Sequence, residues 1–126
     1  MTDHRAVGRA LMGEMNPRLK DVPTRDTGFA NELRELSIDM AFGLIWSRPG
    51  LSRRERSIFT LGLLIALRAD DELKYHFPMA LRNGVTTEEL EELVYQATVY
   101  AGFPAAHAAQ LVAREVLPVA DEDDPR

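Results

Sequence analysis

The stretch WSRPGLSRRERSIFTLGLLIAL, Trp46–Leu67, decides how this chain is read. It opens on the lone tryptophan, turns at Pro49-Gly50 and runs on without the apolar/polar alternation of a strand. Ser52 followed three positions later by Glu55 is a capping box, in which each side chain accepts from the other residue's backbone N–H at a helix start. From Ile58 to Leu67 the residues are apolar almost all round, the pattern of a helix in the middle of a bundle. Four arginines, Arg48, Arg53, Arg54 and Arg56, crowd the turn and the helix start. A guanidinium offers a planar fork of donors that matches a carboxylate. The stretch that announces a helix therefore also announces a pocket for a small, charged organic acid.

Helical signals continue on both sides. Residues 3–15 place Val7, Leu11, Met12 and Met15 at helical spacing. Pro17 and Pro23 bound a connector, after which Thr27 or Asp26 caps a second helix running to about Ile45. Its apolar positions are Phe29, Leu33, Leu36, Met40 and Leu44. Asp70 and Asp71 start a fourth helix, Glu72 to Arg82, ended by Asn83-Gly84, a pair suited to positive φ. Thr86 and Glu89 form a second capping box. Leu90, Leu93, Val94, Ala97 and Ala101 draw one stripe on the fifth helix, and Gly102 and Pro104 break it. Residues 105–117 form a sixth helix whose alanines at 105, 106, 108, 109 and 113 permit close packing. Strand signals are nearly absent, so the fold class is all-α, a bundle of about six helices. Residues 1–126 read as one domain, with an N-terminal helix and connector over 1–28 and a disordered acidic tail over 118–126.

The bulk composition excludes several functions. The net charge is −5, but residues 1–120 carry 14 Lys and Arg against 16 Asp and Glu, so the body is near −2. No basic face for nucleic acid is expected. With no cysteine, disulfides, thiolate zinc sites and thiol redox catalysis are excluded. The first residues lack the apolar core of a secretory leader, and the run Leu61 to Leu67 is too short to span a bilayer, so a cytoplasmic protein without membrane contact is expected. Helices this short with apolar content this broad exceed what one small bundle must bury, which points to a homo-oligomer.

The order of motifs resembles the carboxymuconolactone decarboxylase family. Trp46-Ser47-Arg48-Pro49-Gly50-Leu51 with Arg54 and Arg56-Ser57 begins the resemblance. Glu72-Leu73, His76, Asn83-Gly84-Val85-Thr86 and Glu89 continue it in register. Tyr100-Ala101-Gly102, Pro104-Ala105-Ala106 and Ala108-Ala109 close it, so that it covers about residues 29–117. The resemblance implies a helical fold shared with the alkylhydroperoxidase AhpD, assembled as a trimer or hexameric ring with sites near subunit contacts. Peroxidase members carry Cys-x-x-Cys with three residues between its second cysteine and a histidine. With that histidine aligned on His76, Ala69 and Glu72 stand where the cysteines would be, so a thiol peroxidase is excluded and the decarboxylase branch remains. Family members typically have Trp-Gly-Glu where this chain has Phe42-Gly43-Leu44. Pro78 inside the fourth helix and His107 are further departures.

The family reaction removes carbon dioxide from 4-carboxymuconolactone, and the resemblance implies the same class of small carboxylate substrate here. The electrons of the broken bond flow through a double bond onto the lactone carbonyl, giving an aromatic oxyfuran anion. No cofactor is required, because the substrate is its own electron sink. The protein must hold the spectator carboxylate, stabilise the oxyanion and return a proton to carbon. Arg48 and Arg56 are expected to bind the carboxylate, and His76 to donate the proton or polarise the carbonyl. Glu72, four residues earlier on the same helix face, is expected to orient His76. Trp46 walls the pocket, and His107 contributes to substrate binding. No metal is expected, since His76, His107 and Glu72 lack a ligand spacing. Plainer readings stand beside these: a surface Glu72–His76 pair, Trp46 as core, and His107 as a packed histidine. The functional alternatives are another cofactor-free lyase, isomerase or hydrolase on the same scaffold, or a non-catalytic binding module.

Overall fold

The computed structural model describes residues 2–17 and 27–118. The connector around Pro23, Asp26 as a cap, and the acidic tail beyond Pro118 lie outside the described residues. The elements are α1 (His4–Met15), α2 (Leu33–Ser37) running into a π-helix (Ile38–Trp46), α3 (Arg53–Ala66), α4 (Asp70–Arg82), α5 (Thr87–Tyr100) and α6 (Phe103–Val116). Among the described residues there is no strand, and the all-α, AhpD-like class stands. The contacts divide the chain into two compact units, residues 1–56 and 57–126.

In the first unit, α1 packs along the π-helix. Asp3 caps α1 by accepting from the backbone N–H of Arg5 at 3.1 Å and of Ala6 at 3.2 Å. The two helices meet at glycines. A Cβ added to Gly8 would lie 2.6 Å from the Ile38 carbonyl oxygen, and one added to Gly43 would run into the His4 backbone carbonyl. Glycine is required at both positions because backbone meets backbone there. At the rim, Arg5 pairs with Asp39 at 3.1 Å, and Arg9 reaches Glu35 at 3.7 Å.

The second helix departs from the sequence reading in two ways. It starts at Leu33, with no side-chain cap, because Gly28 and Ala30 take positive φ (98° and 56°) and hold Thr27 to Glu32 in turns. It also buries a different face. Ile38, Phe42, Gly43 and Trp46 are buried, whereas the expected stripe of Phe29, Leu33, Leu36, Met40 and Leu44 is exposed. The segment IDMAFGLIW is apolar nearly all round, so periodicity could not choose its face. The close approach at Gly43 chooses it, and i→i+5 winding brings residues four and five apart onto one side.

In the second unit, α6 packs on both α4 and α5. Leu61, Ile65, Leu73, Phe77, Ala80, Val85, Leu90, Ala105, Ala109 and Val112 form its core, and Leu93, Val94, Ala97 and Ala101 pack against it. The alanine-rich α6 thus packs as its composition predicts. Both capping boxes form as expected: Ser52 N–H to Glu55 at 2.9 Å and Glu55 N–H to Ser52 at 3.1 Å, and Thr86 with Glu89 at 3.0 and 3.1 Å. The helix α4 ends in a Schellman turn. Val85 N–H reaches the Ala80 carbonyl, Gly84 N–H reaches that of Leu81, and Gly84 sits at φ 94°. The end of α3 has the same hydrogen bonds, Ala69 to Leu64 and Arg68 to Ile65, but an arginine occupies the left-handed position at φ 58°. The sequence placed α3 wholly inside; instead Phe59, Leu63 and Leu67 are exposed. A helix of this width buries one side against its own core and leaves the opposite side uncovered.

Candidate active site

Three of the expected site residues lie in the first unit. Trp46 ends the π-helix, buried, with its ring stacked on Phe42 at a centroid separation of 5.9 Å and 29° between planes. Ser47 follows, its hydroxyl donating to the Gly43 carbonyl at 2.7 Å. This bond closes the last turn and fixes where the chain leaves toward Arg48. The Arg48 side chain is exposed. Its carbonyl accepts from Nη2 of half-buried Arg56 at 3.0 Å, tying the two arginine positions together across the Pro49-Gly50 turn.

The four arginines of the turn separate by partner. Arg53 bonds Glu14 at 2.8 Å, and Arg54 is also engaged. Among the described residues no carboxylate pairs with Arg48 or Arg56, and Nε of Arg56 is buried without a hydrogen-bond acceptor. A buried N–H with no acceptor is costly, and a bound carboxylate would satisfy it. Glu55 between them is held below the usual carboxylate range by the backbone and side chain of Ser52, so it stays ionised as a cap.

Glu72, His76 and His107 belong to the second unit. His76 stands on α4 one turn after Glu72. Its Nδ1 is buried, and loss of hydration pulls the imidazole down to about 4 from the usual 6.5. At neutral pH it is therefore the uncharged ring. Glu72 is exposed. Pro78 is accommodated within α4, which runs unbroken to Arg82. Here the proline removes one N–H from the ladder, leaving the Lys74 carbonyl without its usual i+4 donor. His107 is exposed on α6 rather than packed among its alanines, because Ala105, Ala106 and Ala109 take the buried face.

A cavity of about 430 Å³ opens in the second unit between α5 and α6. Phe77, Leu90, Val94 and Tyr95 line it, with Glu91 and Arg114 supplying charge. None of the six expected site residues lies on its wall. The sequence signal for it lies on α5, where Leu90 and Val94 of the apolar stripe sit beside Tyr95.

These features define a cysteine-free all-α protein with two arginines, one in a turn and one at the following helix start, that pair with no carboxylate among the described residues, and a half-buried, neutral histidine on a later helix. Residues 31–115 match the carboxymuconolactone decarboxylase family, and the chain belongs to that family. It is 43% identical over 88 residues to the 4-carboxymuconolactone decarboxylase of Acinetobacter baylyi, covering 70% of this chain and 66% of that one. It is 42% identical over 91 residues to the nitrosuccinic acid decarboxylase of Metarhizium robertsii, covering 72% of this chain and 64% of that one. An uncharacterized 15.0 kDa protein of Paracoccus denitrificans is 30% identical over 88 residues, 68% of this chain and 66% of its own length. The chain thus spans slightly less than two thirds of the length of the decarboxylases it matches.

Proposed function

We propose that this protein is a cofactor-independent decarboxylase acting on a small lactone carboxylic acid of the 4-carboxymuconolactone type. The observation that carries the proposal is identity above 40% to two proteins named as decarboxylases of small acids. The matched family region, residues 31–115, contains every expected site residue. The reading includes 1–126 as one functional domain, a cytoplasmic location, a role in aromatic-acid catabolism, and a homo-oligomer, a trimer or hexamer. Exposed Phe29, Leu33, Leu36, Met40 and Leu44 support assembly, since a second copy would cover an apolar stripe of this length.

The roles follow from charge and protonation. Arg56, with Arg48 beside it, holds a carboxylate through charge-assisted bonds. A neutral imidazole is a poor source of protons: with a value near 4, only about one His76 in a thousand is protonated at pH 7. His76 therefore serves as an N–H donor to the oxygen on which charge develops, a task for which a neutral ring is suited. The proton that finally reaches carbon comes from water. Glu72 is assigned the orientation of the imidazole, Trp46 the stiffening of the turn that carries Arg48, and His107 a contact with substrate. Oxyanion donors of this kind are worth about 100- to 1,000-fold in kcat.

The test is carbon dioxide release from 4-carboxymuconolactone by the purified protein, compared with His76→Ala. We expect turnover that falls about 100-fold or more in the variant, with the oligomer intact. Unchanged substrate would refute the activity, and a variant within a few-fold of the parent would remove His76 from it.

A further inference from the structure

We infer that the substrates of this protein are 2-substituted succinates, dianions whose C2 bears an electron sink ending in oxygen, with Arg56 and Arg48 gripping the carboxylate of the CH2COO− arm. This rests on the decarboxylase reading and defines the substrate by its succinate skeleton instead of by a lactone ring.

Three observations converge. The first is the pair of arginines. Arg56 donates Nη2 to the Arg48 carbonyl at 3.0 Å, which fixes its guanidinium, while Nε remains buried and unsatisfied. Among the described residues no carboxylate neutralises either side chain. Arg53, in the same turn, is taken by Glu14. A fixed guanidinium with an unmet donor is built for an acid from outside the chain.

The second is the carbon skeleton shared by the two acids named for the similar decarboxylases. In nitrosuccinic acid, the carbon bearing the nitro group also bears a carboxyl group and a CH2COO− arm. In 4-carboxymuconolactone, the carbon bearing the extra carboxyl group also bears a CH2COO− arm and is conjugated through the ring to the lactone carbonyl. The sinks differ, but both molecules are succinates substituted at C2. The identities, 43% and 42%, favour neither sink, so the common part is the feature this chain is expected to recognise.

The third is energetic. The departing carboxylate loses its charge as it becomes carbon dioxide. A guanidinium placed on it would stabilise the starting state more than the transition state and slow the reaction. The arginines therefore act productively only on the carboxylate that keeps its charge throughout. In the step itself, the bond from C2 to its carboxylate carbon breaks and carbon dioxide leaves. The electron pair passes to the sink as a nitronate or an oxyfuran anion. A proton from water then adds to carbon, at C2 for the nitro acid and at the far ring carbon for the lactone.

The experiment compares carbon dioxide release, above the spontaneous rate, from four acids with the purified protein. They are 4-carboxymuconolactone, 2-nitrosuccinate, 2-nitropropanoate (a methyl group replaces the CH2COO− arm) and 2-nitroglutarate (the arm is one carbon longer). We expect turnover of both succinates, with kcat/KM about 100-fold lower for the other two. Arg56→Gln should bring 2-nitrosuccinate down to the level at which the parent processes 2-nitropropanoate. If 2-nitropropanoate is processed within a few-fold of 2-nitrosuccinate, the inference falls while the decarboxylase reading stands. Turnover of the lactone but not of 2-nitrosuccinate has the same consequence. Carbon dioxide from none of the four overturns both. Because the panel uses the unaltered protein, these outcomes hold even if Arg56→Gln does not fold.

Discussion

Acidification should unfold this protein through His76, and the size of the effect can be worked out. In the folded chain the imidazole sits near 4 because burial strips its hydration; in the unfolded chain it returns to about 6.5. The unfolded state therefore binds the proton more readily, and protons favour unfolding. The contribution is fully present above about pH 6.5 and is lost as pH falls toward 4. The whole shift is worth about 3 kcal/mol, and integrating from about pH 7.5 to 5 gives a loss of about 2 kcal/mol. The assay is urea denaturation at both pH values for the parent and for His76→Gln, which keeps a polar side chain that does not titrate. Glu55 also favours the neutral-pH state, since its value is lowered by Ser52. Its contribution is lost only below the usual carboxylate range, outside the chosen window. We expect the parent to lose about 2 kcal/mol more than the variant over this interval. Parallel pH dependence in the two proteins would show that His76 titrates normally, and its role as a neutral donor would go with it.

Five further outcomes are expected. Gly8→Ala and Gly43→Ala should each cost about 1–3 kcal/mol by thermal denaturation, because the added methyl meets backbone. Gly13→Ala, in the same helix as Gly8 but in open space, should stabilise by up to about 1 kcal/mol. Asn83→Ala removes the amide that donates to the buried Ser57 hydroxyl at 2.9 Å and should cost about 1–3 kcal/mol in a urea titration. Arg68→Gly relieves the left-handed position at the end of α3 and should raise stability by about 1 kcal/mol, seen as a higher urea midpoint at constant slope. Met40→Glu, on the exposed stripe, should lower the mass found by light scattering if a second copy covers that face; an unchanged oligomer would place the interface elsewhere.

What could be read from the sequence was local chemistry. A cap needs only its own turn of backbone, so Ser52 with Glu55 and Thr86 with Glu89 mark helix starts wherever the rest of the chain goes. Gly84 and Gly102 mark ends for the same reason. The stripe of α5 and the alanines of α6 were legible because polar residues occupy their other faces and leave one choice of burial. The order of motifs was enough to place the chain in its family. Where a segment is apolar on every side, that logic stops. Residues 38–46 and 58–67 offered no polar face to mark the outside, and tertiary contact decided: backbone contact at Gly8 and Gly43 turned Phe42 and Trp46 inward and left Met40 and Leu44 exposed. The protonation of His76 was likewise hidden, because an imidazole's proton affinity depends on how much water reaches it, and burial is a property of the folded chain. Sequence spacing put four arginines in one turn, but which of them remained available depended on where Glu14 came to lie beside Arg53 once the chain had folded.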